Sequence, residues 1–208
     1  AALVLARLIG LPLGLGAALH PGGRIDRLTL GLAVVLRALP PFLLAVLLML
    51  GLAVHTGMLP VAGDQHASSL LLPALTLGLG LAAGLARVTR SAMREVTASP
   101  SYEFARTKGL SDAQALTRHG LRQAALPVVA YLGVHAVFLV EGAVVVETLY
   151  AWPGIGHALV HAVFGRDVPM IQGTALCMGL IFVLFNLAVD ALCLALDPRQ
   201  RMGREGAR

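Results

Sequence analysis

Apolar residues fall along this chain in five long runs, at 1–19, 28–54, 70–88, 125–146 and 171–196, and most of the charge lies in the stretches between them. A helix needs about 20 consecutive apolar residues to cross the hydrocarbon core of a bilayer, and each run reaches that length. The pattern predicts an all-α integral membrane protein with about five transmembrane helices in this chain, forming one domain over residues 1–208.

The basic residues set the expected orientation, because Lys and Arg concentrate on the cytoplasmic side. Arg24 and Arg27 lie between the first two runs. Arg87, Arg90, Arg94, Arg106, Lys108, Arg118 and Arg122 lie at or between the third and fourth, and Arg199, Arg201, Arg204 and Arg208 follow the fifth. The intervening loops, around 57–69 and 148–170, carry only Arg166. A polar segment at about 91–124 and the C-terminus are therefore expected in the cytoplasm, with an external loop at about 148–170. The first run then enters from outside, which calls for an odd number of helices before it. Ala1 opens inside an apolar run, and the simplest expectation is an N-terminally incomplete domain with six helices in full.

Composition agrees: 57% hydrophobic and 13% charged residues, with a mean hydropathy of +0.80, are values of a membrane protein. The net charge of +5 would suggest nucleic acid in a soluble chain. Here aromatics are only 5%, and no basic face interleaved with them is present. Cys177 and Cys193 lie sixteen residues apart in one run and cannot meet along a straight helix.

The polar segment carries its own helix punctuation. Pro100 after Ser99 reads as a first-turn proline, and Gly109 after Lys108 as a left-handed stop. Ser111-x-x-Gln114 is a capping box that restarts a helix toward Pro127. Two short helices hinged at a glycine make a docking surface. The run from Glu103 through Phe104 and Ala105 to Gly109 resembles the Glu-Ala-Ala-x-x-x-Gly loop of ABC importer permeases, with Phe104 in place of the first alanine. Gly109 precedes Pro127 by eighteen positions, a spacing similar to the dipeptide, oligopeptide and nickel branch. Residues 144–156, Val-Val-Val-Glu-Thr-Leu-Tyr-Ala-Trp-Pro-Gly-Ile-Gly, resemble a second motif of these permeases. Residues 57–63 and the stretch Leu196, Asp197, Pro198, Arg199 are similar to their external loop and C-terminus.

The resemblance implies an ABC importer type I permease fold. It also implies a transmembrane subunit that translocates dipeptides or oligopeptides across the inner membrane, with nickel as the alternative cargo. Glu103, Ala105, Gly109, Leu110 and Ser111 would form the ATPase-coupling surface. Implied partners are a second, homologous permease subunit, two ATP-binding subunits and an external solute-binding protein, beside membrane lipid. No cofactor is expected in this chain, with ATP bound by the partner subunits. The residues agree, since no Gly-x-x-x-x-Gly-Lys-Ser/Thr phosphate loop occurs and the single lysine, Lys108, precedes Gly109.

Within the apolar runs, ionisable residues mark candidate pathway positions, because one carboxylate or guanidinium at depth costs about 2.5–3.5 kcal/mol on insertion scales. Arg37, followed by Pro40 and Pro41, suggests a kinked pathway-lining helix, or an arginine that snorkels to the helix end. Arg7 and Pro12 carry the same ambiguity. Glu141 and Glu147 are cavity candidates; six positions place them about 240° apart on a helix, so they do not share a face. Glu147 reads equally well as capping the external end in water. Asn186 and Asp190 share a face and are candidates to pair with Arg37. His55 and His66 flank the loop at 57–64. His157 and His161, spaced i, i+4 on an expected helix at 155–164, have zinc-ligand spacing, but Ala158 stands where a metalloprotease needs glutamate. An intramembrane metalloenzyme using His135, His157 or His161 is the alternative of a different class. No catalytic or metal site is assigned.

Overall fold

The structure is a computed structural model that describes residues 1–64, 67–116 and 120–196. His66, Arg118 and the C-terminal stretch from Asp197 lie outside the described residues.

Every regular element among the described residues is helical. α1 (Ala2–Leu19) runs unbroken past Pro12 and turns at Gly22 and Gly23 into α2 (Arg24–Ala38). The second run is not one kinked helix, as its sequence suggested. Leu39, held extended before Pro40, ends α2, and Pro41, which has no N–H to leave unpaired, opens α3 (Pro41–Leu48). α3 continues as a π-helix over Met49–His55, and the two halves meet at a bend of 107°. Two consecutive prolines remove the continuity that a single one only strains.

α4 (Leu71–Thr97) follows a short 3-10 turn at Ala67–Leu70. It outlasts its apolar run by two turns, so the polar segment begins inside the helix. After α5 (Pro100–Thr107) and the single turn α6 (Asp112–Ala115) comes α7 (Leu121–Leu149), which continues through Pro127. α8 (Ile155–Gly165) and α9 (Val168–Leu196) complete the chain. Among the described residues, Ala2–Leu19, Ser68–Thr97 and Val168–Ala195 are long and apolar enough to cross a membrane, and the bent α2–α3 pair makes a fourth candidate. α7, with 29 residues and a rise of about 43 Å, occupies the fourth expected run.

α4 is the hub. α1 lies against it through Ala6, Gly10, Gly14 and Ala17, all buried. A β-carbon on Gly10 would stand 2.8 Å from the Ala82 carbonyl oxygen, and one on Gly14 only 2.6 Å from that of Ala86. Small residues let the two backbones approach, which matters where lipid offers no hydrophobic drive to helix pairing. Leu81, Leu85, Val128 and Leu132 join Ala6 in the core between α1, α4 and α7. A second cluster, Ala45, Leu72, Val146 and Tyr150, ties α3, α4 and the end of α7. α9 packs on α7, where Val189 fills the space beside Gly133, while Leu176, Leu180, Val183, Leu184 and Leu187 stay exposed.

Candidate functional site

The first helix and its glycine stop form as their punctuation predicts, whereas the capping box opens the single turn α6 and Pro127 lies inside α7. Ser99 is extended and caps α5, accepting from the Tyr102 N–H at 3.4 Å and donating to the Val96 carbonyl at 2.6 Å. Pro100 occupies the first turn. Gly109 takes φ +85° with open space around its α-carbon, so the backbone conformation, not crowding, asks for glycine. The capping box closes in both directions: the Ser111 N–H donates to Gln114 Oε1 at 3.2 Å and the Gln114 N–H to Ser111 Oγ at 3.4 Å.

Tyr102, Ala105 and Ala115 bury together with Leu110 and Leu116 against them. That packing divides the five candidate coupling residues: Ala105 and Leu110 hold the hinge together, whereas Glu103, Gly109 and Ser111 stand on the surface. Phe104 is 60% exposed, and Lys108 Nζ sits 4.5 Å from its ring centroid. The unit thus presents an aromatic knob flanked by an anion and a cation.

Arg37 opens onto a cavity of about 320 Å³ between the α2–α3 bend, the first half of α4 and the middle of α7, with Leu36, Leu44, Thr76, Leu77 and His135 also in its walls. Arg37 Nη1 donates to the Tyr131 hydroxyl at 3.5 Å. The His135 ring stacks on Tyr131 at 3.9 Å between centroids, and its Nδ1 donates to the Tyr131 carbonyl at 3.1 Å. The side chain of Glu141 lies outside the described part of α7. Asn186 donates to the Phe182 carbonyl of its own helix at 3.2 Å. Arg37 therefore meets Tyr131 here, not Asn186 or Asp190 as the sequence suggested.

Glu147 lies at the far end of α7 and caps α8. Its Oε2 accepts from the N–H groups of Gly156 at 2.8 Å and His157 at 3.2 Å, where a negative charge complements the helix dipole. A β-carbon on Gly154 would sit 2.2 Å from the Glu147 carboxylate, and one on Gly156 would lie 2.5 Å from the Val144 α-carbon. The glycines after Trp152 are thus the room that the carboxylate occupies. The rings of His157 and His161 meet edge to face at 4.6 Å. Among the described residues, no three His, Cys, Asp or Glu side chains gather as a metal-ligand group.

Three connections escaped the sequence reading. Asp26, buried in the first turn of α2, accepts from Arg90 Nε and, at 2.8 Å, from Arg90 Nη2, and also from the Gly22 N–H at 2.8 Å. Tyr150 donates to the Ala45 carbonyl at 3.0 Å and shares a 3.0 Å hydrogen bond with Thr76. Tyr131 supplies the hydroxyl beside Arg37. Nothing local in the sequence signals these long-range partners.

Comparison with known proteins places this geometry. The family of binding-protein-dependent transport system inner membrane components matches residues 10–202. The glutathione transport system permease protein GsiC of Salmonella paratyphi A is 40% identical over 199 residues, and its Escherichia coli counterpart 39%, each alignment covering 96% of this chain. The chain spans 65% of the length of these relatives. The fold is also that of an inward-facing structure of the MetNI methionine ABC transporter, with TM-score 0.77, 19% identity and coverage of 94% of this chain and 89% of that one. An amino acid ABC transporter structure with histidines follows at TM-score 0.62 and 20% identity, covering 95% and 88%. This set of helices is a transport component rather than an enzyme, and the metalloenzyme alternative is set aside. The chain belongs to the family of binding-protein-dependent transport system inner membrane components.

Proposed function

We propose that the chain is a transmembrane subunit of an ATP-driven importer that carries short peptides of the glutathione class inward. The observation that carries this reading is the exposed Glu103–Phe104–Lys108 surface, held on a two-helix unit at the polar end of α4. A permease without a nucleotide site of its own needs such a surface to receive the motion of a separate ATPase. In this reading the polar segment and C-terminus face the cytoplasm. Two ATP-binding subunits dock at Glu103, Gly109 and Ser111, a second permease subunit completes the pathway, and a binding protein delivers solute near the α7–α8 turn. The 40% identity with glutathione permeases supports a short peptide over nickel.

The test uses the full-length protein assembled with its partner subunits in nanodiscs. ATP hydrolysis is recorded with the binding protein empty, loaded with glutathione, loaded with a dipeptide, or loaded with nickel. Stimulation by a peptide ligand is expected. Stimulation by nickel alone would overturn the substrate class, and a complex that never assembles with an ATPase would overturn the coupling assignment.

A further inference from the structure

Arg37 is an exposed guanidinium in the wall of a cavity, and a guanidinium at membrane depth is a costly feature. Arg37 offers five N–H donors. Its described side-chain hydrogen bond is the long one to Tyr131, and among the described residues no carboxylate forms an ion pair with it. Its place in the last turn of α2 suits a cation beside the helix carbonyl end, but that uses the charge and not the fork of donors.

The surroundings are built around this fork. Gly84 leaves empty the space that the two polar tips occupy: a β-carbon there would lie 1.8 Å from the Tyr131 hydroxyl oxygen and 3.2 Å from Arg37 Nη1. Stacking on His135 fixes the Tyr131 ring. The cavity that Arg37 lines is otherwise mostly apolar, with Leu44, Leu77, Leu81 and Leu139 in its walls beside Thr76 and His135. A volume near 320 Å³ lies at the small end of ligand pockets, which run from about 300 to 1,000 Å³. An arginine fork recognises a planar anion with two oxygens better than any other group does, and the leucine walls suit a small apolar side chain.

We infer that Arg37, with the Tyr131 hydroxyl beside it, is the transient seat for the free carboxylate of the transported peptide. This rests on the short-peptide importer reading above and adds what part of the solute is recognised and where. Gly84 and His135 act as positioning residues, since they set the two donors and need not touch solute.

The experiment uses the full complex in proteoliposomes and a dipeptide with apolar side chains, supplied as the free acid or as its C-terminal amide, each on saturating loaded binding protein. Uptake is expressed per ATP hydrolysed, and the acid-to-amide ratio is formed within each variant so that general losses cancel. The wild type should favour the acid by tenfold or more. In Arg37→Gln the ratio should fall to within twofold of unity, and in Arg37→Lys it should be intermediate, because the charge stays while the fork is lost.

Equal uptake of acid and amide by the wild type overturns the inference without any variant, as does an undiminished preference in Arg37→Gln. If the glutamine variant does not assemble, the wild-type ratio and Arg37→Lys decide. A wild-type complex stimulated by no peptide-loaded binding protein removes the short-peptide reading and this inference together; loss of the acid preference alone removes only the latter.

Discussion

Asp26 receives Arg90 on both carboxylate oxygens, Nε on Oδ1 and Nη2 on Oδ2, and so pins the first turn of α2 to the polar third of α4. The same Oδ2 accepts the Gly22 N–H, so one side chain orders the α1–α2 turn and fixes its distance from α4. Asp26→Ala and Arg90→Ala should each lower the thermal midpoint of the purified protein by several degrees. The double variant should lose clearly less than the sum, since each single change already breaks the pair. Strict additivity would show that the two side chains act separately.

The α1–α4 seam predicts a sharp contrast between two glycines. In Gly14→Ala the new methyl would meet Ala86 backbone and the Thr89 β-carbon, at 2.6 and 2.7 Å, atoms that cannot swing away. The expected loss is about 1–3 kcal/mol, read as a lower midpoint and poorer recovery from detergent. In Gly31→Ala the methyl meets nothing within 4 Å, and a gain of about 0.5–1 kcal/mol is expected from helix propensity. Similar behaviour at both sites would refute close backbone packing as the reason for Gly14.

Tyr150 is 2% exposed, and its hydroxyl joins α3, through the Ala45 carbonyl, to Thr76 of α4. Tyr150→Phe keeps the ring but removes the hydroxyl's bonds to Ala45 and Thr76; the Ala45 carbonyl keeps the Met49 N–H, so the expected cost is about 0.5–1.5 kcal/mol. Thr76→Val leaves the Tyr150 hydroxyl its bond to the Ala45 carbonyl at 3.0 Å and so should cost less than Tyr150→Phe. The reverse order in thermal melts would assign the junction to Thr76.

Gly109 sits at φ +85°, where a β-branched residue is strained by about 1–2 kcal/mol or more. Gly109→Val should abolish uptake while leaving membrane insertion and the amount of protein intact. Gly109→Asn, which tolerates left-handed backbone better than other side chains, should retain much of it. Ser111→Ala should raise amide exchange from residue 110 to residue 116 by removing half of the capping box. Unchanged uptake in Gly109→Val would end the assignment of this unit as the coupling surface.

How much of this was legible varied with the range of the interaction. Ser99, Pro100, Gly109, Ser111 and Gln114 act within four residues of themselves, and their structure follows from local capping and turn chemistry. The apolar runs gave the long helices for the same reason, except that Pro40 and Pro41 together made a full bend where a kink was expected. Glu147 was legible as an end-of-helix acid, but its partners belong to α8 and are reached only because Gly154 and Gly156 carry no side chain. Asp26 with Arg90, Tyr150 with Ala45 and Arg37 with Tyr131 join residues 64, 105 and 94 positions apart, and a single sequence holds no local mark of such pairings.

α4 is a rod of 27 residues, about 40 Å long, and three features are bolted to it at different heights: the cavity wall with the Thr76–Tyr150 junction, Arg90, and the step to α5. A rod with no internal break turns as one piece. Motion delivered at α5 should therefore reach the cavity as rotation of a whole shaft, and the compliant joint is the Leu39–Pro40 corner beside Arg37. Paired spin labels along α4 should keep their separation between nucleotide-free and ATP-trapped complexes, while a pair placed across the corner, at Leu32 and Leu47, changes its distance. A bend within α4 would move the hinge from that corner to the shaft itself.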